Sequence, residues 1–231
     1  MTPFAVVRFT LNYKGLPYKT EWLEFPDIES KCKEMGIAPT RNTPDGTPLY
    51  TLPAIWDPST KTGVSESYRI AEYLDRTYPD TPRVLFDGIE EYTQIMSGSA
   101  GLPEFKSLAL FVMPFVLPHL NPVGQEYYRR TREQWFGKKW EDILPTGKAR
   151  EEAWAQVKKG FDIVDALFQK YGGPFARGEQ ISFVDISLGA SLYGFRFLWG
   201  EDSEFWKELS GWNDGRWGKH VEKIEKYAEG I

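Results

Sequence analysis

The chain has 231 residues, of which 41% are hydrophobic and 26% charged, and its net charge is −5 at pH 7. This length suits one large domain or two small ones. The mildly acidic balance, without a basic run, argues against nucleic acid or an anionic membrane as a partner. Because Cys32 is the only cysteine, an internal disulfide is excluded. The two histidines are far apart in sequence, so we expect no metal site.

Membrane insertion is not predicted anywhere along the chain. Arg8 interrupts the apolar start, so the first residues lack the apolar core of a secretory signal. The longest uncharged apolar stretch, Ser107 to Pro118, is too short to span a bilayer. We therefore predict a soluble, cytoplasmic protein with no membrane partner.

The first part of the chain predicts a small α/β unit. The apolar spacing of residues 3–14 predicts a helix, and the alternation in YKTEWLEF (18–25) predicts a strand. Asp27 is expected to cap the short helix that follows. Two short segments, LPAIW (52–56) and GVSES (63–67), flank a turn and predict an antiparallel hairpin. An amphipathic helix is predicted directly after it.

The first hairpin strand begins with Pro53, which cannot donate to a sheet ladder. An X-Pro bond costs little in the cis form. Because a helix entrance suited to a ligand follows this proline, we expect the Leu52–Pro53 bond to be cis. The N–H and C=O of Leu52 would then be exposed to a ligand that pairs with them as an extra strand. The alternative is a trans proline that only begins a strand.

Glu66 and Ser67 stand where the next helix begins. The free N–H groups and the positive dipole end of a helix N-terminus attract an anion, and Glu66 beside them suits a cationic amine. An α-amino acid carries an anionic and a cationic group on one carbon, so Glu66 and Ser67 together are suited to bind an α-amino acid. The alternative is ordinary helix capping.

The remainder of the chain predicts a helical unit. Prolines in residues 79–88 indicate a linker. Ser182 and Asp185 form a capping box ahead of an apolar helix. Helices are predicted over residues 88–120, 126–142, 148–171, 183–199, 203–210 and 215–229.

The combination of LPAI and ESYRIAEYL resembles the glutathione-binding half of glutathione transferases, where a cis-proline is followed by Glu-Ser or Asp-Ser at a helix start. The resemblance implies that Leu52, ahead of Pro53, pairs with the cysteinyl part of glutathione. It also implies that Glu66 and Ser67 hold the γ-glutamyl end. In this family the box at Ser182 nucleates the central helix of the C-terminal domain.

The fold implied by the resemblance has two parts. We expect a thioredoxin-like, glutathione-binding α/β domain over residues 1–80 and an all-α bundle over residues 87–231 that forms an apolar substrate pocket. His119 and Tyr193 are assigned to that pocket. A homodimer is also expected, with glutathione as co-substrate and no metal.

Longer stretches, LNYKGLPYKTEWLEFPDIE and the whole hairpin region, are similar to the fungal etherase-like transferases, which are related to bacterial β-aryl-etherases. This similarity implies attack of the glutathione thiolate on an apolar, aromatic electrophile. Relatives carry a thiol-activating Ser-Pro-Asn-like segment at the first helix. Here Thr2-Pro3-Phe4 stands in its place, so Thr2 is the implied catalytic residue, while Phe4 departs from the pattern. The alternative function is a non-catalytic ligand-binding or regulatory protein of the same fold.

Family members have a strand before their first helix, between the second and third strands of the sheet. Here only Met1 and Thr2 precede Pro3. Without that strand, backbone groups inside the sheet would be unpaired, at about 1 to 3 kcal/mol each. We therefore expect that the sequence lacks an N-terminal segment that contains the strand. Cys32, between two lysines, is either a redox thiol or a helix-surface residue without a role.

Overall fold

A computed structural model describes residues 6–43, 46–88 and 102–229. Its first part consists of α1 (Val6–Lys14), α2 (Ile28–Glu34), β1 (Arg41–Asn42), β2 (Pro48–Leu49), β3 (Ala54–Asp57), β4 (Thr62–Ser65) and α3 (Ser67–Thr77). Its second part consists of α4 (Leu108–Val112), α5 (Pro122–Phe136), α6 (Gly147–Gln169), α7 (Phe183–Trp199) and α8 (Glu204–Ile224). Short 3-10 helices cover Phe25–Asp27, Pro103–Ser107, Met113–Phe115, Leu117–His119, Trp140–Asp142 and Glu225–Tyr227.

The strands form two separate antiparallel pairs, β1 with β2 and β3 with β4. The predicted hairpin is therefore confirmed, whereas the predicted strand over 18–25 is wrong. Residues 16–24 have no regular structure, and a 3-10 helix begins at Phe25. Alternation alone does not make a strand, because a strand also needs a neighbour for its N–H and C=O groups. Among the described residues no segment pairs with this one.

The helix boundaries of the first part follow the prediction more closely. Asp27 does precede α2, but its side chain makes no capping hydrogen bond. The predicted helix over 3–14 is seen from Val6, because residues 1–5 lie outside the described part of the chain. Thr2 is among those residues.

A buried ion pair joins the first part of the chain to the segment after α3. The fully buried ammonium of Lys14 donates to Asp75 at 2.6 Å and to the C=O of Pro82 at 2.9 Å. Asp75 also accepts the backbone N–H groups of Val84 and Leu85, at 3.1 and 2.9 Å. A buried charge is tolerated only with such partners, so Asp75 fixes how the chain leaves α3.

In the helical part, two of the predicted helices differ from those in the structure. The described end of the helix predicted over 88–120 is broken into α4 and three 3-10 helices, because Pro114 and Pro118 remove backbone donors. The helix predicted over 126–142 begins at Pro122 and ends at Phe136, where Gly137 takes a left-handed conformation. The break predicted between residues 210 and 215 is confirmed by non-helical angles at Trp212–Gly215.

The centre of the helical part is α7, which is buried on most of its faces. Gly189 lets α8 approach closely, since a Cβ atom there would lie 2.6 Å from the side chain of Ile224. None of the described helices combines the length and apolarity that crossing a membrane requires.

The capping box at the start of α7 is confirmed. The Asp185 carboxylate accepts the Ser182 N–H at 2.8 Å, the Ser182 hydroxyl at 2.6 Å and the Ala176 N–H at 2.8 Å. Its own backbone C=O lies 2.9 Å from Nε2 of His220. Burial raises the pKa of the Asp185 carboxyl and lowers the pKa of His220, so the imidazole is held neutral at pH 7.

We expect Asp185→Ala to damage folding. The change leaves the buried N–H groups of Ala176 and Ser182 without an acceptor, and each such loss costs about 1 to 3 kcal/mol. Urea unfolding should therefore show a free energy of unfolding lowered by at least about 2 kcal/mol. The exposed Asp202→Ala is the control and should unfold like the wild type. A wild-type free energy of unfolding in Asp185→Ala would contradict the structural role.

Candidate functional site

The hairpin brings the two sequence motifs together. Ala54 pairs with Ser65 in the register of β3 and β4, so the next residues outward, Pro53 and Glu66, face each other. The Glu66 N–H donates to the Pro53 C=O at 3.3 Å. The proline motif and the helix entrance are therefore neighbours at one end of the hairpin.

Leu52 presents an unpaired stretch of backbone at this corner. The Leu52–Pro53 bond is cis, as predicted. Within the described part of the chain, neither the N–H nor the C=O of Leu52 has a hydrogen-bond partner. The residue is 43% exposed. Unpaired backbone groups on an exposed residue are suited to pair with an extended peptide.

Glu66 has a strained backbone conformation, with φ 76° and ψ 120°. A non-glycine residue in this region costs about 1 to 3 kcal/mol and persists only where its surroundings enforce it. Here the enforcing contacts are the hydrogen bond to Pro53 and the one that the Glu66 C=O accepts from the Ile70 N–H at 2.8 Å. The strain lies at the point where the strand turns into α3.

The capping alternative for these residues is not supported, because the side chain of the N-cap residue Glu66 makes no capping hydrogen bond. Ser67 is the first residue of α3, and its hydroxyl and N–H have no partner among the described residues. The first turn of α3 contains no acidic residue. These donors and the positive end of the helix dipole are therefore available to an anion, next to a half-buried carboxylate.

The far end of the same hairpin is anchored by Asp57, which sequence reasoning missed. The hydroxyls of Tyr73 and Tyr78 each donate to Oδ2 of Asp57 at 2.6 Å. The N–H and hydroxyl of Ser59 donate to Oδ1 at 2.9 and 2.7 Å. Burial by itself would raise the pKa of Asp57, but these four hydrogen bonds outweigh it and hold the pKa well below the usual range. The carboxylate thus fixes the hairpin against α3.

The structure does not bring His119 and Tyr193 into direct contact. His119 is exposed, and its ring lies 5.0 Å from that of Phe197. Tyr193 packs edge-on against Phe9 of α1, with ring centres 5.7 Å apart. Tyr193 and Phe197 are four residues apart on α7 and share one face. Phe197 is 45% exposed, and the sequence analysis did not assign it to the pocket.

Cys32 is neither on the helix surface nor activated. It is 3% exposed and packs with Ile28 and Ile37. Burial raises the pKa of its thiol. Lys31 and Lys33 form ion pairs with glutamates, so they do not favour the thiolate.

The fold and the site define a class of protein, and comparison with known proteins shows it directly. The family model of the glutathione S-transferase N-terminal domain matches residues 5–77, and that of the C-terminal domain matches residues 102–227. The chain belongs to the glutathione S-transferase family. Its fold is accordingly a thioredoxin-like N-terminal domain with a small sheet, followed by a C-terminal helical domain.

Three similar proteins come from fungi. A glutathione S-transferase of Ceriporiopsis subvermispora, crystallised in complex with glutathione, is 37% identical, with a TM-score of 0.88 over 100% of this chain and 92% of that one. A glutathione transferase of Phanerochaete chrysosporium is 35% identical, with a TM-score of 0.86 over 98% and 89% of the two chains. A glutathione S-transferase-like protein of Aspergillus flavus is 30% identical over 96% of this chain and 84% of its own.

The Asp57 anchor predicts a pH dependence of stability. Because the pKa of Asp57 is lowered in the folded state, its stabilisation is complete above the unfolded value of about 3.9 and is lost as the pH falls towards the folded value. Asp57→Asn should therefore be less stable than the wild type at pH 7. The difference in unfolding free energy should shrink between pH 5 and pH 2.

Urea titrations of the wild type and of Asp57→Asn, from pH 7 down to pH 2, measure this change in the difference in unfolding free energy. Asp80→Asn, at an exposed position, is the matched control and should follow the wild type throughout. A constant difference between Asp57→Asn and the wild type at every pH would mean that the Asp57 pKa is not lowered.

Proposed function

We propose that the chain is a glutathione transferase whose glutathione site is the corner formed by Leu52, Pro53, Glu66 and Ser67. The observation that carries the proposal is the unpaired backbone of Leu52 directly beside the N-terminus of α3. Membership of the family supports it, as does the similarity to a relative crystallised with glutathione.

Two parts of glutathione, the cysteinyl residue and the γ-glutamyl end, have matching groups at this corner. The cysteinyl N–H and C=O pair with the C=O and N–H of Leu52 as a short antiparallel strand. The α-carboxylate of the γ-glutamyl end accepts from the hydroxyl and N–H of Ser67 at the positive end of α3. The α-ammonium of the same end is held by the carboxylate of Glu66.

The reaction is attack of the glutathione thiolate on an electrophilic carbon. A cysteine thiol has a pKa of about 8.5, so a nearby donor must favour the thiolate at pH 7. Thr2 remains the residue proposed for this role on the family resemblance. For an aryl ether, a C–S bond forms, the C–O bond breaks, and the aryloxide leaves and takes up a proton. The enzyme contributes mainly by holding both reactants in place.

The acceptor is an apolar, aromatic electrophile, in line with the etherase-like resemblance. The face of α7 with Tyr193 and Phe197, together with His119, offers rings against which an aromatic molecule packs. This face is our proposal for part of the acceptor pocket.

We also propose a cytoplasmic homodimer with domains at residues 1–80 and 87–231. The division is supported by the role of Asp75, which holds the backbone of Val84 and Leu85 at the junction. The linker is thereby fixed against α3, and the helical part follows it.

Retention on immobilised glutathione and a turnover assay with an aryl ether test the function together. Retention with turnover supports the transferase. Retention without turnover on aryl ethers or a general electrophile favours the non-catalytic ligand-binding protein. No retention and no turnover would contradict the proposed site.

Ser67→Ala should weaken glutathione binding by about 1 to 3 kcal/mol, because it removes a hydrogen bond to a carboxylate. Titration calorimetry measures the change directly. Ser30→Ala is the control, since the hydroxyl of Ser30, which lies on α2, donates to the C=O of Asp27. Equal affinities of Ser67→Ala and the wild type would remove Ser67 from the site.

A further inference from the structure

The segment of residues 37–40, which we call the strap, contacts both halves of the proposed site. It leaves α2 and packs on the hairpin at Gly63, where a Cβ atom would lie 2.7 Å from Ile37. The Ala38 C=O accepts from the Ser65 hydroxyl at 3.5 Å, directly before Glu66. These two contacts place the strap against the hairpin, next to the proposed glutathione corner.

Thr40 makes the strongest contact of the strap with the site. Its hydroxyl oxygen accepts the Thr51 N–H at 3.2 Å and lies 2.8 Å from the Thr51 hydroxyl. Thr40 is itself held by its N–H, which donates to the Leu49 C=O at 2.9 Å. Thr51 is thus fixed through both its backbone and its side chain.

These contacts enclose Leu52 between two fixed neighbours. On one side Thr51 is held by Thr40, and on the other the Pro53 C=O is held by the Glu66 N–H. The N–H and C=O of Leu52 have no partner of their own among the described residues, so their direction is set by these neighbours. A peptide that is already oriented loses less conformational entropy when a ligand pairs with it, so binding costs less.

We propose that Thr40 is a positioning residue for glutathione, which acts by fixing the peptide before Leu52 through its hydroxyl contact with Thr51. The proposal rests on the proposed function of the corner. In the proposed complex Thr40 does not contact the reacting sulfur. Removal of its hydroxyl therefore affects the binding of glutathione and leaves the chemical step unchanged.

Thr40→Val tests the proposal because valine keeps the shape and removes the hydroxyl. The KM for glutathione should rise about 3- to 10-fold, the loss of about one net hydrogen bond, with kcat at saturating glutathione unchanged. Thr40→Ser restores the hydroxyl and should return KM to the wild-type value. Thr43→Val is the matched control, since the Thr43 hydroxyl donates to the Thr47 C=O on the same loop.

Other outcomes overturn the proposal in distinguishable ways. A wild type that binds no glutathione in calorimetry overturns the proposed function itself. A wild type that binds, with an unchanged KM in Thr40→Val, overturns only the positioning role, as does a loss of kcat that Thr40→Ser does not restore. If Thr40→Val fails to fold, Thr40→Ala removes the same hydroxyl and both of its contacts with Thr51, and an unchanged KM there overturns the proposal.

Discussion

The carboxylate of Asp57 is the interaction on which the proposed glutathione corner depends. A two-stranded hairpin has little stability alone, and it becomes firm only when packed against another element. Here Ser59 of the turn donates two hydrogen bonds to the buried carboxylate, and Tyr73 of α3 and Tyr78 at its C-terminal end donate two more, which fix the turn end of the hairpin against the helix. The open end, with Pro53 and Glu66, is thereby held at the start of the same helix.

This anchoring explains how strain and unpaired groups persist at the opposite end. The backbone of Glu66 is strained and that of Leu52 has no partner among the described residues. Neither feature is favourable in isolation, so the rest of the fold must supply the stability that maintains them. In the proposed function, bound glutathione supplies hydrogen-bond partners for the N–H and C=O of Leu52.

Features with a local cause were predictable from the sequence. The hairpin follows from turn residues between two apolar segments, and α7 follows from the box of Ser182 and Asp185. The neighbouring positions of Pro53 and Glu66 then follow from the hairpin register. The family resemblance agreed with these local signals, and the family models confirm it.

Features that depend on distant contacts were not predictable. The alternation of residues 18–25 is that of a strand, yet pairing with another segment decides whether a strand forms. In the sequence Asp57 is an ordinary turn residue. Only the structure shows that the hydroxyls of Tyr73 and Tyr78 donate hydrogen bonds to it. Likewise, nothing local indicates that Cys32 faces the interior. The thiol-activating residue rests on resemblance alone, since Thr2 lies outside the described residues.

A crystal structure of the protein with glutathione would show whether the ligand occupies the corner formed by Leu52, Pro53, Glu66 and Ser67. We expect the cysteinyl N–H and C=O of glutathione to pair with the backbone of Leu52. We also expect the γ-glutamyl carboxylate to lie within hydrogen-bond distance of Ser67 and the ammonium close to Glu66. Glutathione bound elsewhere on the chain, with the Leu52 backbone still unpaired, would mean that this corner is not the glutathione site.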